Sequence, residues 1–264
     1  YTRRLAVPLE WQDVVIRAAI TLKLSLYEDT GAIIAAMTTS IPEAPGSSRN
    51  WDYRYCWLRD AFFVVRALNS LSEVGTMEEY LRWLTNIVAR SKGGHIQPLY
   101  GIGLEEQLPE STLDHLPGYR GNGPVRVGNQ AQEHFQHDVY GNIVLGAAQA
   151  FLDHRLFHRA GKAEFAALEA VGDQAFRLHA EPDAGMWELR TRARVHTSSM
   201  LMSWAACDRL AKVAHKLGLD DRADHWNSRA VLIRERLLRE AWSEEQDRAD
   251  HWNSRAVLIR ERLL

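Results

Sequence analysis

The chain has 264 residues, 46% of them hydrophobic, and 32 basic residues against 34 acidic ones give a net charge of −2. That apolar content suffices for one large core or two small ones, and a near-neutral balance without a basic patch or tail argues against a nucleic-acid partner. The N-terminal YTRRLAVPLEW lacks the apolar core of a secretion signal, and no run reaches membrane-spanning length.

Two distant cysteines, Cys56 and Cys207, show no metal-ligand spacing, so a reducing, cytoplasmic setting is expected, with no metal or other cofactor. The first residue is not Met, so a preceding segment is expected as well.

Trp11, Val14, Val15, Ala18 and Leu22 repeat at helical spacing. AIIAAMTTSIP (32–42) suits a strand or short hairpin. Residues 60–74 read as a buried helix, and 77–91 as an amphipathic one ended by Gly93–Gly94. A long polar loop is expected over about 95–130, then helices over 134–160, closed by Gly161, over 163–180, and over 196–217, closed by Gly218. Asp220 or Asp221 is expected to cap a last helix running to Trp242.

Connections near 75, 161 and 218 are short, whereas those at 27–59, 95–133 and 181–195 are long and rich in charged and aromatic residues. If successive helices are antiparallel, the long loops share one end, the pattern of an α/α toroid. The tail holds an exact repeat: DRADHWNSRAVLIRERLL occupies 221–238 and again 247–264. Two identical copies point to a recent duplication or an assembly error rather than to a solenoid.

Three loops carry the chemistry. RNWDYRYCWLRDA (49–61) packs four aromatics, two aspartates and three arginines into thirteen positions. Arg59 and Asp60, with Tyr53, Tyr55 and Trp57 alongside, could grip a sugar by hydrogen bonds and stacking, or Asp60 could simply be the N-cap of the next helix. GYRGNGPVRVGN (118–129) offers Arg120, Arg126 and Asn129 to an anion or hydroxyl, but matches no phosphate-binding fingerprint. In DAGMWELR, Glu188 follows Trp187. A carboxyl beside an indole in a partly dry cleft has its charged form disfavoured, and a protonated carboxyl is what glycoside cleavage needs at the leaving oxygen. The alternative is an ordinary loop glutamate paired with Arg190 or Arg192. His154 and His158 stand four apart on an expected helix, without a third ligand, and read as a solvated face.

In this order, TTSIPEAPGSSRNWDYRYCWLRDA, LPGYRGNGPVRVGNQA, QHDVYGN, PDAGMWELR and SWAACDRL resemble the successive motifs of glycoside hydrolase family 15, the glucoamylases and bacterial trehalase-like enzymes. The resemblance implies an all-α fold, an (α/α)6 toroid of which this chain would hold about eight of twelve helices. Residues 1–246 would form the N-terminal part of the catalytic domain.

It further implies an inverting glycosidase that releases glucose from an α-linked glucoside, small or oligosaccharide, as its partner molecule. Glu188 falls on the family's general acid, Arg59 and Asp60 on its glucose-holding pair, Tyr53, Trp57 and Trp187 on pocket aromatics, and Arg126 on a bordering loop. Met37 departs from the usual Pro, and the HTSSML stretch is a loose match. A preceding β-sandwich domain and the loop with the general base are implied but not found in these residues, so no base is assigned. Two alternatives follow: a sugar-binding fragment that self-associates through an open barrel edge, and an inverting phosphorylase, which needs no base.

Overall fold

The computed structural model describes residues 1–243 and 248–249. Among them lie eight α-helices and five two-stranded antiparallel sheets with strands of two to four residues, so the regular structure is all-α, as the toroid reading expects. No helix among the described residues is long and apolar enough to cross a membrane. The repeat at 247–264 falls outside them, apart from the backbone pairing of Arg248–Ala249 with Trp242–Ser243.

Two compact units divide the chain: Tyr1–Ile87 with Gln97–His134, and Val88–Ile96 with the chain from Phe135 onward. In the first unit, helix α1 (Gln12–Leu24) is followed by β1 (Leu26–Tyr27), β2 (Ala32–Ile33), β3 (Thr39–Pro42), β4 (Asn50–Asp52) and β5 (Cys56–Trp57). Helices α2 (Leu58–Ser70) and α3 (Gly75–Ser91, whose last turn from Val88 is counted with the second unit) come next, then β6 (Leu99–Tyr100), β7 (Ser111–Thr112) and β8 (Arg126–Val127).

The stripe expected along α1 faces outward at Trp11, which is 76% exposed, and at Val14. Leu22 of that stripe does pack inward, with Ala19, against Leu5 and Leu68. AIIAAMTTSIP does not pair with itself: β2 pairs with β1, and β3 with β4.

The second unit is a helical layer made of α4 (Asp138–Ala147), α5 (Gln149–Leu152), α6 (Lys162–Leu178), α7 (Thr197–Lys216) and α8 (Asp220–Glu240). Helix α4 is buried on nearly all sides, from Asp138 to Val144, which marks it as a core helix rather than an amphipathic one. It crosses α7 closely, because a side chain at Gly141 would fall 2.3 Å from the Met202 carbonyl oxygen. Trp226, Ala230, Ile233 and Leu237 form the buried stripe of α8. Burial of each large side chain among them is worth about 1.5–3 kcal/mol. Glu169 on α6 accepts from Arg222 Nε and Trp226 Nε1, both at 2.7 Å, and Arg229 pairs with Asp173. Cys56 in the first unit and Cys207 in the second are both buried free thiols.

Several boundaries move. The helix expected over 134–160 starts at Asp138, is interrupted at Ala148 and ends at Leu152. Beyond it Asp153 turns the chain by binding its own neighbour Arg155 through three hydrogen bonds, and His154 and His158 therefore stand on no helix. Gly161 opens α6 rather than closing a helix, with Glu164 accepting from its amide at 2.8 Å. Leu219 is the N-cap of α8, and Asp220 and Asp221 sit in its first turn, where negative charge suits the helix dipole.

Candidate active site

In the first unit, RNWDYRYCWLRDA forms an extended strap running into a helix. Ala35 and Ala36 amides bond the Tyr55 and Tyr53 carbonyls at 2.9 Å. On the other side, Cys56 and Trp57 pair with Tyr100 and Leu99, and the Leu58 amide reaches Pro98 O at 3.0 Å. Extended backbone tied by a neighbour on each side holds its alternating side chains in fixed directions. Helix α2 begins immediately, with Trp57 as N-cap and without a side-chain cap. Asp60 is therefore a first-turn residue and not the cap that one sequence reading allowed.

Tyr53 and Trp57 stack obliquely, ring centroids 5.8 Å apart, but Trp57 is 3% exposed and packs with Leu99, Leu108 and Ala131. Tyr53 is the more accessible of the two. Arg59 and Asp60 approach at 3.5 Å, and the Asp60 side chain keeps 45% of its surface in solvent against 17% for Arg59.

Arg126 is a structural hub on the strap's border. Its guanidinium donates to Glu110 Oε1 at 2.9 Å and to Asn50 O at 3.0 Å, and lies 5.0 Å from the Trp51 ring centroid. Its backbone bonds Ser40 and Thr39 hydroxyls at 2.7 Å.

The anchor that sequence reasoning missed is Asp52. Its carboxylate, fully buried, accepts from Arg54 Nε and Nη2 at 2.9 and 2.8 Å and from the Gly128 amide at 3.3 Å. Asn129 Nδ2 donates to the Asp52 carbonyl at 3.1 Å, and Gly128 N also reaches the Tyr55 hydroxyl at 3.2 Å. Burial, then the Asp52 charge, push the Tyr55 phenol above its ordinary range. The 118–129 loop is thus docked on the strap. The Asp-x-Arg spacing of Asp52 and Arg54 was the available signal, since residues two apart in extended backbone share a face.

In the second unit, Trp187 and Glu188 sit on a loop closed at its root. Asp183 and Arg194 exchange backbone hydrogen bonds of 2.8 and 3.0 Å, and the Ala184 amide bonds Phe135 O at 2.9 Å. The Glu188 amide bonds Gly185 O at 3.1 Å, and Glu188 has a φ of +53°. A left-handed non-glycine residue is disfavoured and tends to mark functional loops. Trp187 is 63% exposed, and Glu188 beside it is half-buried. Five of the seven proposed site residues (Tyr53, Trp57, Arg59, Asp60 and Arg126) lie in the first unit, and Trp187 and Glu188 lie in the second.

Aromatic rings on the strap, a guanidinium–carboxylate pair in the first turn of α2 and a carboxyl on a tight turn are groups of the kind that grip and cleave a sugar. The profile of the glycosyl hydrolases family 15 matches residues 11–262, and the chain belongs to that family. It is 35% identical over 230 residues to a trehalase of Mycolicibacterium smegmatis, covering 86% of this chain and 34% of that protein. A trehalase of Mycobacterium tuberculosis is 36% identical over 235 residues, covering 86% of this chain and 33% of the relative. One from Thermoplasma volcanium is 34% identical over 242 residues, with coverages of 89% and 37%. The chain therefore spans about a third of the length of these relatives.

Proposed function

We propose that this chain is the N-terminal part of the catalytic domain of an inverting α-glucosidase, with trehalose as its first candidate substrate. The complete enzyme, the reading frame at the length of its relatives, would cleave the glycosidic bond in one displacement. Glu188 gives its proton to the leaving oxygen as the C–O bond breaks. A water attacks the anomeric carbon from the opposite face, and its proton goes to a base outside the assigned residues. Asp60 and Arg59 hold the glucose hydroxyls, Tyr53 and Trp187 offer ring faces, Trp57 backs Tyr53, and Arg126 holds the border loop in place.

The observation that carries the reading is Glu188 itself, a left-handed residue on a loop closed by the Asp183–Arg194 pair. Substrate preference rests on the relatives named trehalase. Two buried thiols support a cytoplasmic setting.

In the complete enzyme, Glu188→Gln should lower glucose release from trehalose by about 10²–10⁴-fold. Near-normal turnover would sink the assignment. Maltose and isomaltose assayed beside trehalose identify the linkage, and faster release from either would displace trehalose.

A second reading is favoured by the coverage of only 34% of the longer relative: these 264 residues alone bind sugar without cleaving it. Calorimetry of this chain with glucose and trehalose should give heat of binding and no glucose release. Turnover by this chain would refute that reading.

A further inference from the structure

Beneath the Glu188 loop lies a buried polar knot that the proposed chemistry does not use. Asp183 is 1% exposed, and its Oδ2 accepts from the His137 backbone amide at 2.7 Å and from the Ser199 hydroxyl at 2.8 Å. His137 is the residue before α4, and Ser199 is in the first turn of α7. One carboxylate oxygen therefore ties the loop to the starts of two core helices.

Its other oxygen stands 3.9 Å from His196 Nε2. The His196 ring in turn fills the space beside Gly185, where an added Cβ would lie 2.6–2.8 Å from three ring atoms, and Gly185 has a φ of +63°. The turn carrying Glu188 then starts from Gly185, whose carbonyl accepts the Glu188 amide. A buried carboxylate is costly unless it is hydrogen-bonded, and here both hydrogen bonds fall on Oδ2 and join the loop root to the starts of α4 and α7.

We propose that Asp183 is a positioning residue: its carboxylate locks the root of the 184–193 loop and so holds Glu188 in one orientation, a role that rests on reading Glu188 as the general acid. Misplacing an acid by about an ångström is enough to lose roughly 10²-fold in rate. The loss should fall on the protonation of the leaving group and not on sugar binding.

The test uses the complete enzyme and two substrates, trehalose and α-glucosyl fluoride, whose fluoride departs as an anion and needs little proton donation. In Asp183→Ala, kcat on trehalose should fall roughly 10–100-fold with KM changed little, while the loss on the fluoride stays much smaller. Asp183→Asn keeps an oxygen that can accept both hydrogen bonds and should restore most of the rate. Equal losses on both substrates would mark a merely structural role and overturn the proposal, as would an unchanged kcat on trehalose. If Asp183→Ala does not fold, Ser199→Ala, which removes one of the two bonds, carries the same comparison with a smaller loss. Glu188→Gln assayed alongside separates the failures. A near-normal Glu188→Gln removes the general-acid reading and the proposal with it. A dead Glu188→Gln beside a fully active Asp183→Ala removes the proposal alone.

Discussion

Asp52 has no solvent-exposed surface, yet its carboxylate collects hydrogen bonds from Arg54 and from the Gly128 amide. Removing it leaves the Gly128 amide without this acceptor and frees Arg54 from its fork. Asp52→Ala should lower unfolding free energy by about 2–3 kcal/mol, read as a shift of the urea midpoint. Arg49→Ala, which breaks an exposed pair with Glu43, should lose less than about 1 kcal/mol. The contrast explains what was legible at this scale. Arg59, Asp60 and Glu188 stood out because their residue types carry chemistry. Asp52 stood in the same quoted stretch without a role, since its partner amide lies 76 positions away and its spacing to Arg54 is the one local sign of it. Arg126, which the family resemblance puts on a loop bordering the pocket, bonds Glu110 and Asn50 through its guanidinium.

At the level of elements, the helices were the readable part. Apolar periodicity located α2, α3, α6, α7 and α8 within a few residues, because the buried face of each recurs at helical spacing. The β-pairs were not readable: strands of two to four residues carry too little alternation to detect, and their pairing is decided by distant chain. Ends were misplaced where a glycine served two plausible purposes, as Gly161 did. Gly141 shows a tight backbone contact between helices, with the Met202 carbonyl in the place of a side chain. Gly141→Ala must therefore push α4 away from α7. The loss should be about 1–3 kcal/mol, despite the higher helix propensity of alanine, and thermal denaturation of the two proteins will measure it.

For the whole molecule, family membership was the most legible property, because five ordered motifs spread over both units point the same way. A general base for the proposed hydrolysis was not legible, since no motif within these residues matches one.

Cys56 and Cys207 give a global prediction. Burial pushes the Cys207 thiol up to about 12 and Cys56 higher still, so neither should react with a thiolate-seeking reagent at pH 8 in the folded protein. Both should react once urea unfolds the chain, and rapid labelling of the native protein would contradict the burial. The two thiols also lie one in each unit. That placement makes the natural sequence a two-channel clock: the order in which peptides containing Cys56 and Cys207 become labelled reports whether the two units open as a single cooperative body or one ahead of the other.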